Sequence, residues 1–282
     1  MEKLMTPQTF AMMQRLVEDR LGMVLEEEKA YLLESKIGNM LSRYSFKSFE
    51  ELYTHICYKN DHELIDEIID AITINETFWF RDKTPWLIME ELLLPQYIEE
   101  FRAGKREHVR IWSGACSYGQ EPYSIAMGID RYLKTHNIHD VSLDYFEIVA
   151  TDLSNTVLKK AKAGEYDSIS MHRGLEDLDR FTYFKNEGKI WRINEKIRQA
   201  VRFQQFNLIK EFFPNNKYDI IFFRNVLIYF TQSQKKAVMS KISESLKSNG
   251  ILFLGSSELF DNHSPDFLMT HYKNGIYYNK QV

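Results

Sequence analysis

Residues Ile111-Trp112-Ser113-Gly114-Ala115-Cys116-Ser117-Tyr118-Gly119-Gln120-Glu121-Pro122-Tyr123-Ser124 decide the fold. The run closes an apolar strand begun at Val109, passes through small residues and two glycines, and restarts as a helix. Pro122 falls in the first turn, where a missing N–H costs nothing. Glycines at such a turn let a ligand come close to the backbone. The crevice beyond the carboxyl ends of parallel strands is where open α/β sheets bind their ligands. The stretch therefore reads as the nucleotide-binding corner of an α/β enzyme, with Gly114 at the point of approach.

The kind of nucleotide follows from what the corner lacks. Gly114 and Gly119 do not make the dinucleotide pattern G-x-G-x-x-G. In the phosphate loop G-x-x-x-x-G-K-[ST], Gln120 stands where the lysine belongs. A corner with neither device suits a nucleoside without phosphates, of which S-adenosylmethionine is the common one. Two glycines by themselves fit a plain turn equally well, so the rest of the chain has to decide.

Downstream, strands and helices alternate, which signals a doubly wound parallel sheet. The strands are expected at Val109–Ser113, Glu147–Thr151, Val201–Gln205, Tyr218–Phe223 and Gly250–Leu254, with helices starting near Glu121, Ser154 and Thr231. The last helix is expected to end at Ser248-Asn249-Gly250, with Gly250 as its stop. Phe267–Tyr272 and Gly275–Asn279 finish the chain as a hairpin around Lys273-Asn274-Gly275. Residues from about 165 to 200 break the alternation. They carry Tyr166, Tyr183, Trp191 and the turn Asn186-Glu187-Gly188, and read as a helix plus a small antiparallel excursion inserted into the sheet.

Upstream, residues 1–72 read as helical throughout. Thr6-Pro7 opens a helix that stops near Gly22, and Leu33, Ile37, Met40, Leu41 and Tyr44 trace the apolar face of a second from about Glu26. Ser48-Phe49-Glu50-Glu51 is a capping box ahead of Leu52, Ile56 and Tyr58. Asp61 caps a fourth helix bearing Leu64, Ile65, Ile68 and Ile69. Lys29, Lys36 and Arg43, seven apart, form one basic stripe on the second helix; a solvated edge is the plainer reading and a docking face the functional one. Residues 1–72 hold 8 Lys+Arg against 14 Asp+Glu, a net of −6, so any pull on an acidic partner must come from that stripe. Residues 73–90 connect the two halves. Phe78, Trp79 and Phe80 read as packing at the junction, and Thr84-Pro85 as the cap of a helix carrying Trp86, Leu87, Leu92 and Leu93. Arg81, placed directly after three aromatics, has a fork that suits a carboxylate.

The formal net charge of −4 argues against a general nucleic-acid binder, which shows a basic patch or stripe. No apolar run approaches the roughly 20 residues that span a bilayer, and the N-terminus has no apolar signal region. Cys57 and Cys116 are far apart and outside any C-x-x-C, which fits reduced thiols and a cytoplasmic location. No Cys/His cluster has zinc-ligand spacing, so no metal is expected.

Asp152 ends the second parallel strand, where an acidic side chain accepts hydrogen bonds from both ribose hydroxyls. The competing role, a helix cap, already belongs to Ser154. Asn225 ends the fourth strand in Arg224-Asn225-Val226, and the N-P-P-Y-like segment that adenine N-methyltransferases place there is absent.

Several segments occur in order: Asn75-x-Thr77-x-x-x-Arg81, Gly114 to Ser124, Ala150-Thr151-Asp152, Asn207-Leu208, and Arg224-Asn225-Val226-Leu227-Ile228-Tyr229-Phe230. Together they resemble the chemotaxis receptor methyltransferases, the CheR family, over nearly the whole chain. The resemblance implies an all-α domain at 1–72, a connecting segment at 73–90, and a methyltransferase domain at 91–282 with an inserted β-subdomain. It implies a protein-glutamate O-methyltransferase that esterifies glutamates on cytoplasmic helices of methyl-accepting chemotaxis receptors, with S-adenosylmethionine as donor and S-adenosylhomocysteine as product. By the same resemblance Asn75, Thr77, Arg81, Glu121, Asp152, Asn207, Leu208, Arg224 and Asn225 line the cofactor pocket. Glu121 meets the methionyl amino group, and Arg81 and Tyr229 sit beside the transferred methyl. A glutamate is already ionised at neutral pH, near a reference pKa of about 4.3, so no general base is required. Gln120 departs from the acidic residue usual before Glu121. The turn Lys185–Lys189 is shorter than in members that grip a receptor's tail peptide, which argues against such tethering. A non-catalytic cofactor-binding adaptor on the same fold is the alternative, and the presence of both Arg81 and Tyr229 speaks against it. A methyltransferase for RNA or small molecules is disfavoured by the acidic balance.

Overall fold

A computed structural model describes residues 5–21, 30–59, 61–73, 75–215, 217–258 and 266–281. The expected helix stop near Gly22, the start near Glu26 and the stripe residue Lys29 lie outside the described residues.

Four helices come first: α1 (Pro7–Leu21), α2 (Ala30–Arg43), α3 (Phe49–Lys59) and α4 (His62–Ile72). Their starts are set by side chains that satisfy otherwise orphaned N–H groups. The Thr6 hydroxyl accepts from the Thr9 N–H at 3.1 Å, and the Asp61 carboxylate from the Leu64 N–H at 3.1 Å. The Ser48 hydroxyl accepts from the Glu51 N–H at 3.3 Å, but the Glu51 carboxylate reaches past the cap to the Lys47 N–H at 2.6 Å, so the expected box closes on one side only. Met13, Ile37, Leu52 and Ile56 form the heart of this bundle. Tyr58 lies on the opposite face of α3 from Ile56, being two residues on, and is 87% exposed.

α5 (Lys83–Ile88) widens through a π-helical turn (Met89–Leu93) into α6 (Leu94–Arg102). Pro95, which cannot donate to the preceding turn, accounts for the widening. The expected cap at Thr84 is wrong: Asp82 holds the cap position and makes no side-chain capping bond, because its carboxylate is taken by Arg224 at 2.7 Å.

From here the chain alternates: β1 (Val109–Gly114), α7 (Gln120–Thr135), β2 (Phe146–Asp152), α8 (Asn155–Ala163). The insertion follows, with β3 (Glu165–Asp167), α9 (Ser168–His172), α10 (Asp177–Tyr183), β4 (Phe184–Asn186), β5 (Ile190–Ile193) and α11 (Glu195–Gln199). It is more helical than the single helix expected, and its strands form a separate antiparallel sheet in the order β3-β5-β4. The main sheet resumes with β6 (Val201–Gln205), β7 (Tyr218–Phe223), α12 (Gln232–Ser245), β8 (Leu246–Leu254) and the hairpin β9 (Phe267–Tyr272) and β10 (Gly275–Lys280).

The main sheet has seven strands in the order β6-β2-β1-β7-β8-β10-β9, the first five parallel and the hairpin antiparallel. Alternation along β1 sends Ile111 into the core shared with α7 and Trp112 into the one shared with α12. Gly250 does not stop α12. The helix ends at Ser245 and β8 starts at once, since Leu246 is fully buried opposite Tyr218. Pairing then jumps to Ile220 with Ile251, so Lys247–Gly250 bulge out with Asn249 at φ 61. The chain runs from β1 to β2 and β6 on one side, then crosses to β7 and β8 on the other. The switch point therefore lies between the carboxyl ends of β1 and β7.

Candidate active site

A cleft of about 220 Å³ opens at that switch point. Asn75, Thr77, Arg81, Glu121, Asp152, Asn207, Leu208, Arg224, Asn225 and Tyr229 all line it, brought together from five separate parts of the chain. Gly114 does not line it. A Cβ there would lie 2.9 Å from the Phe223 ring, so the neighbouring strand crowds the position. Gly119, at φ +88 ahead of α7, is likewise hemmed in by Ala161 and Phe203.

On the sheet side the charges are buried and mutually bonded. Asp152 is 9% exposed, with one oxygen accepting from the Ser117 N–H at 2.8 Å and the other from the Ser154 N–H at 3.0 Å. Burial raises its carboxyl above the ordinary aspartate value of 3.8, and those two N–H groups oppose the shift. The Ser154 hydroxyl caps α8 at the Val157 N–H and donates to Asp70, while Asn155 donates to Asp66 at 3.1 Å. Helix α4 is thus tied to the turn that carries Asp152. Arg224, whose side chain is 1% exposed, donates to Glu121 at 2.8 Å, to Asp82 at 2.7 Å and to the Arg81 carbonyl at 2.6 Å. Its Nε is buried and finds no acceptor among the described residues. Glu121 also accepts from the Ser113 hydroxyl at 2.7 Å.

The outer wall is built from the 73–82 segment. Asn75 donates to the Thr73 hydroxyl at 3.1 Å, and its carbonyl accepts from Ser117 at 2.9 Å. Arg81 is half-buried and flanked by Phe80 at φ 46 and Asp82 at φ 56, backbone states that non-glycine residues hold only when their surroundings fix them. The Phe80 N–H donates to Ser124, Trp86 Nε1 to the Arg81 carbonyl, and Arg81 Nη1 to the Glu76 carbonyl at 3.0 Å. Facing it, Asn225 sits at φ 59, its N–H donating to the buried Glu258 at 2.6 Å, and the chain passes through one 3₁₀ turn to Tyr229. Burial pushes the Tyr229 phenol above 10, and the Arg81 cation opposes that shift. Asn207 makes a turn of its own, its side-chain Oδ1 accepting from the N–H groups of Ile209 and Lys210 at 2.9 and 3.1 Å, and Leu208 lines the cleft beside it.

Sequence reasoning missed Ser113, Ser117, Asp82 and Glu258. Asp82 adjoins Arg81 and could have been suspected from that alone, whereas Glu258 lies far from every motif. The stripe fares differently: Lys36 is exposed, and Arg43, 59% exposed, donates to Glu67 of α4 at 2.7 Å. Neither is among the residues that line the cleft.

The donor set fits S-adenosylmethionine. Asp152 offers acceptor lone pairs for ribose hydroxyls. Glu121 and the orphaned Arg224 N–H answer an ammonium and a carboxylate, the two charges of a methionyl end. Leu153, Phe206 and Leu208 offer an apolar berth for a base. Cys116 also lines the cleft, but burial holds its thiol neutral and inert. Among the described residues no cluster could hold a metal ion, and no helix is long and apolar enough to cross a membrane.

Comparison with known proteins agrees. Residues 75–276 match the family described as "CheR methyltransferase, SAM binding domain", and residues 8–73 match "CheR methyltransferase, all-alpha domain". The chain is 39% identical over 264 residues to the chemotaxis protein methyltransferase Cher2 of Pseudomonas putida, covering 93% of this chain and 94% of that one. It is 36% identical over 266 residues to the chemotaxis protein methyltransferase of Listeria monocytogenes, covering 94% and 95%. S-adenosylmethionine is the cofactor, and this chain belongs to the CheR family of chemotaxis methyltransferases.

Proposed function

We propose that the protein methylates glutamate side chains on the cytoplasmic helices of methyl-accepting chemotaxis receptors. The observation that carries this reading is the makeup of the cleft: Arg81 and the neutral Tyr229 phenol stand together, no histidine or lysine is among the lining residues, and the lining carboxylates Glu76, Glu121 and Asp152 are already bonded to Arg173, Arg224 and backbone N–H groups. An amine or hydroxyl acceptor must lose a proton during transfer and calls for a base. A carboxylate does not, since glutamate is ionised at neutral pH. The cofactor, when bound, supplies an electrophilic methyl group on a sulfur that is its own leaving group.

The chain's part is alignment and desolvation. Asp152, Glu121 and Arg224, with Asn75, Thr77, Asn207, Leu208 and Asn225 around them, hold the cofactor. Arg81 presents two N–H groups to the incoming carboxylate and draws it out of water. Tyr229, a phenol and so neutral at neutral pH, adds one donor without adding charge. Residues 1–72, with Lys36 and Arg43 on α2, face the receptor, and residues 73–90 carry Arg81 between that face and the sheet. The P. putida and L. monocytogenes relatives bear the name chemotaxis protein methyltransferase, which supports a chemoreceptor as the acceptor. Only Glu187–Lys189 separate β4 from β5, and this short turn supports recognition through the receptor's helices rather than through a tail peptide.

Incubation with methyl-labelled cofactor and receptor-containing membranes tests the proposal. Base-labile label on a receptor band is expected, because carboxyl methyl esters hydrolyse in mild alkali. Label that survives alkali, or that appears on nucleic acid, contradicts it.

A further inference from the structure

Arg173 lies between α9 and α10 in the insertion, and no sequence motif marks it. Its guanidinium carbon stands 4.5 Å from the centre of the Phe78 ring, and that of Arg81 stands 5.3 Å from the same ring. Arg173 Nη2 donates to the Glu76 carboxylate at 2.9 Å, while the carbonyl of Glu76 accepts from Arg81. The backbone is gripped as well. The Trp79 N–H donates to the Arg173 carbonyl at 3.2 Å, and Trp79 Nε1 to the Ser170 carbonyl at 3.0 Å. Gly174, at φ +80, fits so closely that a Cβ would stand 1.9 Å from the Trp79 carbonyl oxygen.

An ion pair as exposed as Arg173–Glu76 contributes little to stability by itself. Its place is what matters, because among the described residues Glu76 and Phe78 hold the Arg81 guanidinium. Two cations sharing one ring repel each other. The Glu76 carboxylate offsets the charge of Arg173 and so allows Arg81 to stay on the ring beside it.

We infer that Arg173 is a positioning residue for Arg81. It fixes Glu76 and Phe78, and through them the insertion becomes part of the reaction centre. This rests on the role given to Arg81 above. An arginine that gripped the receptor directly would show in KM. One that acts through Arg81 shows in kcat, and its effect disappears once Arg81 is gone.

Label-transfer kinetics on receptor-containing membranes for Arg173→Ala, Glu76→Gln, Arg81→Ala and the double variant Arg81→Ala/Arg173→Ala test this, with calorimetric binding of S-adenosylhomocysteine to each. Arg173→Ala and Glu76→Gln are expected to lower kcat about tenfold. The receptor KM and the S-adenosylhomocysteine affinity should stay within about twofold, and the double variant should be no slower than Arg81→Ala. Glu76→Gln keeps the backbone carbonyl, so it reports even if Arg173→Ala fails to fold. Unchanged kcat in the single variants, or a further loss in the double variant, overturns the inference. Full turnover by Arg81→Ala overturns the function proposed for the cleft itself. Loss by Arg81→Ala alongside normal Glu76→Gln and Arg173→Ala sinks only the part given to Arg173.

Discussion

The sheet side of the cleft and its outer wall differ in how their charges are held. Asp152, Glu121 and Arg224 are nearly or wholly out of water and bonded to one another or to backbone N–H groups, whereas Glu76 and Arg173 stand half or more in solvent and the partly buried Arg81 shares a ring with Arg173. The first group is arranged before any ligand arrives, as a pocket for one small molecule of fixed shape should be. The second belongs to a face that must accept a helix of another protein. The comparison teaches that cofactor affinity and turnover reside in different layers, and that substitutions should separate them.

The largest effect is expected at Arg224, a buried side chain that touches both layers. Arg224→Ala leaves Glu121 and Asp82 without their cation, and removing one partner of a buried pair costs about 3–5 kcal/mol. A thermal melt should show a markedly lowered midpoint, and calorimetry should show cofactor binding lost. Next comes Arg81→Ala, which should keep cofactor affinity within about threefold yet lower turnover roughly 100-fold, the scale of lost alignment. If binding vanishes with turnover, the two layers are one.

Asp152→Asn should weaken S-adenosylhomocysteine binding about 10-fold to 100-fold, the worth of a hydrogen bond to a charged group. Because burial raises the Asp152 carboxyl, acidification protonates it at a higher pH than an ordinary aspartate. Wild-type affinity should therefore fall with pH earlier than a pKa of 3.8 would allow, and titrations of Asp152→Asn should lack that fall. Tyr229→Phe should lower kcat about tenfold. As its pKa is raised above 10, the wild-type rate should show no loss from phenol ionisation as pH rises toward 10. The smallest effect is expected from Lys36→Glu with Arg43→Glu, a loss of about threefold in receptor kcat/KM and none in cofactor binding, since exposed charges act weakly.

Much of this was legible in the chain. The strand–glycine–helix run at 109–124 and the alternation after it are local signals, and they place the switch point and with it Asp152 and Asn225. Thr6, Asp61, Ser154 and Thr231 all cap helices, because a hydroxyl or carboxylate three residues before an N–H acts within a few ångströms of chain. The misses have one cause. Thr84 does not cap α5 because the helix starts earlier, behind Asp82, whose carboxylate is claimed by Arg224, 142 residues away. Gly250 could not stop α12 because Leu246 is already buried as part of β8. Gly114 is crowded by Phe223 and does not line the cleft. Glu258 and Arg173 join the site through contacts that no spacing announces. Each is a case of tertiary packing overriding a local rule.

The measurement that bears most directly on the account is calorimetric titration of the protein with S-adenosylhomocysteine, in the wild type and in Asp152→Ala. One site per chain, abolished or strongly weakened by the substitution, is the predicted result. Wild-type protein that takes up no S-adenosylhomocysteine, or an Asp152→Ala variant that binds it as tightly as the wild type, contradicts the placement of the cofactor in this cleft.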